Sequence, residues 1–313
     1  MKETFSHETV LLQEAVMRLA PQSSGIYVDA TMGGGGHTRK LLEVSAPHGT
    51  VIALDQDERA IEAAKSWQGA YEGRLYVIRA NFREITTVLQ ERGIQKINGL
   101  LCDLGVSSPQ LDEADRGFSY QHDAPLDMRM DRRIKQSAKD LLERLDASKL
   151  ADLFWRYGEE RWAKRIAEFI VTERARRPIV NTGDLVEVIK KAVPQGARKD
   201  GPHPGKRVFQ ALRIAVNDEL GALESLLEQL PDLLAPQANA AIITFHSLED
   251  RIVKQFFAAQ AITCVCPPRS PICTCGHQAR FTVITRKPIL PSAQELSKNP
   301  RARSAKLRVA QRK

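Results

Sequence analysis

The stretch Val28-Asp-Ala-Thr-Met-Gly-Gly-Gly-Gly-His-Thr38, followed by Thr50-Val-Ile-Ala-Leu-Asp55, decides the fold of this chain. Ile26 to Ala30 reads as a short buried strand and Thr38 to Val44 as the start of a helix. Between them a glycine run lets a ligand approach the backbone with no Cβ in the way. A second apolar strand ends on Asp55. In a parallel sheet flanked by helices, ligands sit at the carboxyl ends of the strands. A carboxylate at the tip of the second strand can accept hydrogen bonds from both hydroxyls of a ribose. The two segments together predict a pocket for an adenosine-bearing cofactor.

Glycine spacing separates two cofactor classes. A dinucleotide fold uses G-x-G-x-x-G, whereas here Gly33-x-Gly35-x-x is followed by Thr38. Read from the acidic residue, Asp29-x-Thr31-x-Gly33-x-Gly35 resembles the first motif of class I S-adenosylmethionine-dependent methyltransferases, with Thr31 where that pattern carries its first glycine. A nicotinamide-dependent oxidoreductase is the competing enzyme class, and a glycine-rich turn with no ligand is the plain alternative.

Composition sets the outer limits. A chain of 313 residues, 27% of them charged, can bury one sizeable core and a second, smaller unit. Near the start, Glu3, Glu8 and Glu14 alternate with Val10, Leu11, Leu12, Val16 and Leu19, an amphipathic helical pattern unlike a signal peptide. No apolar run is long enough to span a bilayer. Five cysteines, with Cys102 alone in an apolar strand, do not form a disulfide framework, so the expected compartment is the cytoplasm. The net charge of +8 is concentrated in Lys298 to Lys313, which holds seven basic residues and no acidic one. Such a basic tail suits phosphate contacts on a nucleic acid, or is simply a solvated terminus.

Outward from the glycine loop, strand and helix alternate. Glu58 to Trp67 predicts a helix, Arg74 to Phe82 a third strand, and Ile97 to Gly105 a buried fourth strand whose end, Asp103-Leu-Gly-Val-Ser-Ser-Pro-Gln110, lies beside the pocket. Then the pattern becomes helical: Ala138 to Leu145, Ser148 to Tyr157 and Glu160 to Arg176. Apolar residues from Val208 to Leu230 predict one helix of about six turns, returning the chain to the α/β core. Ala240 to Phe245 is a fifth strand, Ser247 and Asp250 have capping spacing for the next helix, and Phe281 to Thr285 is a last strand. The predicted architecture is an α/β, Rossmann-like class I methyltransferase core (1–110 and 208–313) with an inserted all-helical domain (111–207).

Seven motifs together carry a closer resemblance. Asp29-Ala-Thr-Met-Gly-Gly-Gly-Gly-His37, Asp103 to Asp112, Arg116-Gly-Phe-Ser-Tyr120, Leu126-Asp-Met-Arg-Met-Asp131, Tyr157-Gly-Glu-Glu-Arg161, Phe245-His-Ser-Leu-Glu-Asp-Arg251 and Asn299-Pro-Arg-Ala-Arg-Ser304 resemble the bacterial ribosomal RNA small subunit methyltransferase H family. The resemblance runs from His7 to the C-terminus. It implies methyl transfer from S-adenosylmethionine to the exocyclic N4 of one cytidine in the decoding region of 16S rRNA, as naked RNA or within the small ribosomal subunit. It places cofactor contacts on Gly35, Gly36, His37, Asp55 (ribose), Phe82 (adenine), Asp103 and Gln110. Phe82 has core packing as its alternative. Asp103 is the candidate catalytic acceptor, since a cytosine amine is a poor nucleophile until its protons are drawn toward a tetrahedral nitrogen. Its alternative is to close the pocket or hold the methionine end.

Leu104 and Gly105 follow Asp103 where amine methyltransferases carry Pro-Pro-Tyr, so the stacking partner of a flipped base must lie elsewhere: Phe118, Tyr120 or Tyr157. Lys206 and Arg207 are candidate phosphate contacts, or a charged loop. Direct in-line transfer needs no metal. Cys264-Val-Cys266 and Cys273-Thr-Cys275 stand apart from that chemistry, as a zinc site, a redox-labile loop, or reduced cysteines in a hairpin around Pro267, Pro268 and Pro271. A non-catalytic RNA-binding protein would explain the cations and cysteines but not the cofactor pocket.

Overall fold

A computed structural model describes residues 9–199, 203–267 and 272–313, so Glu3, Glu8, Pro268 and Pro271 lie outside the described residues. Two compact units result. One holds the described chain up to Gly105 together with Leu220–Lys313, and the other is Val106–Glu219.

The first unit is built on one sheet. Its strands are β1 (Ile26–Asp29), β2 (Thr50–Asp55), β3 (Leu75–Arg79), β4 (Ile97–Asp103), β5 (Leu234–Thr244), β6 (Phe281–Val283) and β7 (Lys306–Arg312). They lie in the order β3-β2-β1-β4-β5-β7-β6, with β1 to β5 parallel and β7 antiparallel to both its neighbours. This is the class I methyltransferase fold. The order turns back between β1 and β4, so the ligand crevice opens beyond the carboxyl ends of those two strands.

Side chains of period two make both faces apolar. Val28, Ile52, Leu54, Leu100 and Cys102 pack with Leu223, Leu226, Leu227 and Leu230 on one face. Tyr27, Val51, Leu101 and Ile243 pack with Val16, Leu41 and Leu42 on the other. Each fully buried aliphatic side chain contributes about 1.5–3 kcal/mol.

Helices dominate the second unit: Ala138–Arg144, Ala147–Gly158, Ala163–Arg174, Thr182–Ala192 and Gly205–Asn217. Leu150, Phe154, Ile166, Ile170, Leu185, Ile189, Val208 and Leu212 are in its core. Gly158 sets one helix crossing, because a Cβ there would stand 2.6 Å from the Arg207 carbonyl oxygen. Thr182–Ala192 was not among the expected helices, although its start is marked by Asn181, whose N–H donates to Asp184 Oδ2 at 3.0 Å.

Three sequence expectations are corrected. The six-turn helix is two, Gly205–Asn217 and Glu219–Leu233, broken at Asp218 with φ 48°. Apolar spacing continues across the break, and aspartate tolerates the left-handed conformation better than most residues. The first of these helices buries Val208, Phe209, Leu212 and Val216 among the helical unit's side chains, so that unit extends past 207. Phe281–Val283 is followed by a further strand, since the basic segment expected as a tail is β7. The N-terminal helix is Leu12–Arg18. Among the described residues, no helix is long and apolar enough to cross a membrane.

Candidate active site

The tips of β1, β2 and β4 are tied together by the residues that the sequence singles out. Gly33 and Gly35 take left-handed φ values of 51° and 76°, the conformation for which glycine is needed. The Gly33 N–H donates to Asp55 Oδ2 and the Asp57 N–H to Asp55 Oδ1, both at 2.8 Å. A carboxylate has about four lone-pair sites, so Asp55 can brace the loop and still accept from a diol. Burial pushes its pKa up to about 6.

Thr31 and Thr38, the two departures from glycine patterns, have definite work. Thr38 Oγ1 donates to buried Asp29 Oδ2 at 2.6 Å, and the Asp103 N–H donates to Thr31 Oγ1 at 2.6 Å, stitching β1 to β4. Burial also raises the Asp29 pKa to about 6, against the hydrogen bonds from Thr38 and Thr31.

Asp103 ends β4 with one carboxylate oxygen, Oδ1, buried and without a hydrogen-bond partner. Its Oδ2 lies 3.9 Å from His37 Nδ1. His37 is buried, and its Nε2 donates to the Val10 carbonyl at 3.1 Å, which assigns that nitrogen the proton in the neutral ring. Burial, then the carboxylates of Asp29, Glu249 and Glu295, hold the Asp103 pKa well above the ordinary range. Cys102 beside it is buried in the core with its thiol pKa raised by burial and by Asp103, so it is a packing residue and not a nucleophile.

The crevice is therefore acidic. That environment fits a cationic sulfonium cofactor and opposes the pyrophosphate of a dinucleotide. The unpartnered Asp103 oxygen and the Asp55 carboxylate provide acceptors at two strand tips.

Beyond β5, His246 caps the helix Ser247–Gln260: its Nδ1 accepts from the Glu249 N–H at 3.3 Å. The cap expected of Ser247 belongs to His246. Glu249 Oε2 in turn accepts from the Phe245 and His246 N–H groups at 2.8 and 3.2 Å. Phe245 is an aromatic that motif reading left as a strand end. Its ring is 3.5 Å from where a Cβ on Gly105 would be, beside the turn that follows Asp103. Phe82 is half-buried and packs against the sheet core, starting a turn capped by Asn81.

The remaining candidates belong to the helical unit. Gln110 is buried, and its Oε1 accepts from the Ser107 N–H at 3.0 Å. Phe118 is 7% exposed within the unit's core, with the Arg116 guanidinium 5.7 Å over its ring, so it is no platform for a base. Tyr120 stacks on His203 at 4.5 Å with rings 4° from parallel. Tyr157 is half-buried, and its carbonyl accepts from Gln210 Nε2 at 3.1 Å. Arg207 Nη1 donates to the Glu159 carbonyl at 2.8 Å, while Lys206 is exposed. Tyr120 is thus joined to His203 just before the helix whose first turn carries both cations, and Tyr157 to Gln210 on that same helix.

The basic C-terminal segment is mostly committed to the fold. Arg308 is buried and donates to Asp250 through Nε at 2.6 Å and Nη2 at 3.1 Å, with Lys306 Nζ at 3.3 Å. Burial raises the Asp250 pKa, but Arg308 and Lys306 outweigh it and hold the carboxyl below its ordinary value. Arg312 donates to the Pro231 and Arg280 carbonyls.

Known proteins resemble this chain along nearly its whole length. The ribosomal RNA small subunit methyltransferase H of Heliobacterium mobile is 52% identical over 309 residues, covering 98% of this chain and 99% of that one. The protein of the same name from Clostridioides difficile is 51% identical over 308 residues, covering 98% and 99%. A solved rRNA methylase from Streptococcus thermophilus aligns with TM-score 0.44 at 11% identity, covering 98% of this chain and 99% of its own. A family model described as the MraW methylase family matches residues 4–313, and this chain belongs to that family.

Proposed function

We propose that this enzyme transfers a methyl group from S-adenosylmethionine to the exocyclic N4 of a specific cytidine in the decoding region of 16S rRNA, in the cytoplasm. The observation that carries the reading is the buried, unpartnered oxygen of Asp103 in an acidic crevice at the strand tips. Asp55 takes the ribose, Gly35, Gly36 and His37 form the loop, and Phe82 borders the adenine. When bound, the cofactor supplies an electrophilic methyl group on a sulfonium that leaves as a neutral thioether.

The protein's part is to turn an amide-like amine into a nucleophile. Ionised Asp103 accepts a hydrogen bond from the cytosine amine, drawing its protons aside and freeing the lone pair. Because its pKa is raised, activity rises with pH as the carboxyl deprotonates, and a cation in the crevice shifts that rise to lower pH. Tyr120, half-buried and stacked on His203, and half-buried Tyr157 are the aromatic candidates for an unstacked base, and Lys206 and Arg207 offer charge to phosphates.

The test is methyl transfer from radiolabelled S-adenosylmethionine to naked 16S rRNA and to small subunits lacking the modification, followed by nucleoside analysis. N4-methylcytidine at one site is expected, with Asp103→Asn losing turnover. A different methylated atom, or full turnover by Asp103→Asn, overturns the assignment. The substrate that is used identifies the assembly stage.

A further inference from the structure

The segment between the helix Ser247–Gln260 and β6 has little to hold it in shape. Its ends are joined, since the Arg280 N–H donates to the Gln260 carbonyl at 2.9 Å. Among the described residues of 261–279, only Ala279 is buried, while Ile262, Val265 and Ile272 are 45%, 58% and 75% exposed. Among its described residues, no apolar cluster organises this loop. Yet the Sγ atoms of Cys264, Cys266, Cys273 and Cys275 all lie within 4.8 Å of one another.

Their spacing discriminates between chemistries. Cys264 to Cys273 is 3.4 Å, Cys273 to Cys275 3.5 Å, Cys264 to Cys275 3.8 Å and Cys266 to Cys273 3.9 Å. A disulfide requires about 2 Å, so these sulfurs are not bonded to each other. A tetrahedron with metal–sulfur bonds of about 2.3 Å has edges of about 3.8 Å. The four separations of 3.4 to 3.9 Å lie close to that edge, and the remaining two are within 4.8 Å. Backbone N–H groups support it: Val265 donates to Cys275 Sγ at 3.5 Å and Cys266 to Cys264 Sγ at 3.4 Å. Such bonds stabilise thiolates in a ligand set.

We infer that Cys264, Cys266, Cys273 and Cys275 bind one zinc ion in a closed, structural site that shapes the loop leading into β6. Four thiolates select a soft divalent metal over magnesium or calcium, and four protein ligands leave no open position for catalysis. Binding displaces the thiol protons and offsets the repulsion among four thiolates in so small a volume. Short C-x-C pairs are accommodated because the two pairs come from opposite limbs of the closed loop. The positive φ of 61° at Gly276 turns the chain immediately after the last ligand.

The full-length protein, purified under reducing conditions without added metal, is analysed for metal content. About one zinc per chain is expected, released by a mercurial reagent and absent from the Cys273→Ser, Cys275→Ser double variant. Zinc-free protein is then titrated with cobalt(II), which needs no variant to fold. A thiolate-to-cobalt charge-transfer band saturating at one equivalent supports the site. Absence of that band, stoichiometric iron in place of zinc, or four cysteines recovered as two disulfides overturns it.

Discussion

Strand β7 and the turn His203–Arg207 both cluster cations, and the structure uses them differently. In β7 the Arg308 guanidinium is buried against Asp250, and Arg312 is committed to carbonyls. In the turn, Lys206 is exposed and Arg207 reaches one carbonyl. These two side chains occupy the first turn of the helix Gly205–Asn217, where the macrodipole disfavours positive charge by about 0.3–1 kcal/mol. A cation in a strand packed on both faces is neutralised nearby. One held against a helix dipole at the surface makes no such contribution to folding and is available to an anion. Formal charge therefore says little about RNA binding until burial is known.

The largest expected effect that tests this contrast is at Arg308. Arg308→Ala leaves the Asp250 carboxylate with only Lys306 and should cost about 3 kcal/mol of stability by denaturant unfolding, with no change in the salt dependence of RNA binding. A small stability loss with a reduced salt slope would erase the distinction between the two segments. The same variant gives a pH test. Unfolded Asp250 takes up its proton near pH 4, folded Asp250 only below that, so the pair's stabilisation is complete above about pH 4 and fades as pH falls. The penalty of Arg308→Ala should be full at pH 7 and shrink toward pH 2; a constant penalty would show that charge pairing is not its source.

Next in size is Tyr120→Leu, which removes an aromatic face beside the turn and should weaken RNA binding about tenfold or more, with Tyr120→Phe near wild type. Equal losses in both variants would point to the hydroxyl instead of the ring. Lys206→Ala with Arg207→Ala should lower the slope of log affinity against log salt by about 0.7 to 0.9 per lost phosphate contact, with thermal stability little changed as relief at the helix start offsets loss of the Arg207–Glu159 hydrogen bond. An unchanged slope removes the turn from the RNA surface. Smallest is Lys313→Ala, exposed at the end of β7, for which stability within about 0.5 kcal/mol of wild type is expected.

Strands β1, β2 and β4 were legible because they are apolar runs that end in aspartate, and Asp55 and Asp103 could be placed at strand tips from that alone. The reason for Thr31 was not legible, since its partner is the backbone of Asp103 in a different strand. β7 was hidden by its own alternation: Lys306, Arg308 and Arg312 look like a tail until Asp250, far away in sequence, supplies the counter-charge. Phe118 shows the limit for aromatics, because a motif position does not distinguish a core ring from a stacking platform. The cysteines announced themselves by residue type, but only the fold brings both pairs to one point.

The position of β7 also orders events in time. It lies between β5 and β6, and β6 has no other neighbour in the sheet. On a nascent chain, β5 waits with one edge open and β6 has nothing to pair with until residues 306–312 have left the exit tunnel. Such an edge is a template for wrong pairing until β7 covers it. Completion of the sheet thus waits on β7, the last of its strands in chain order, however early β1 to β5 have paired.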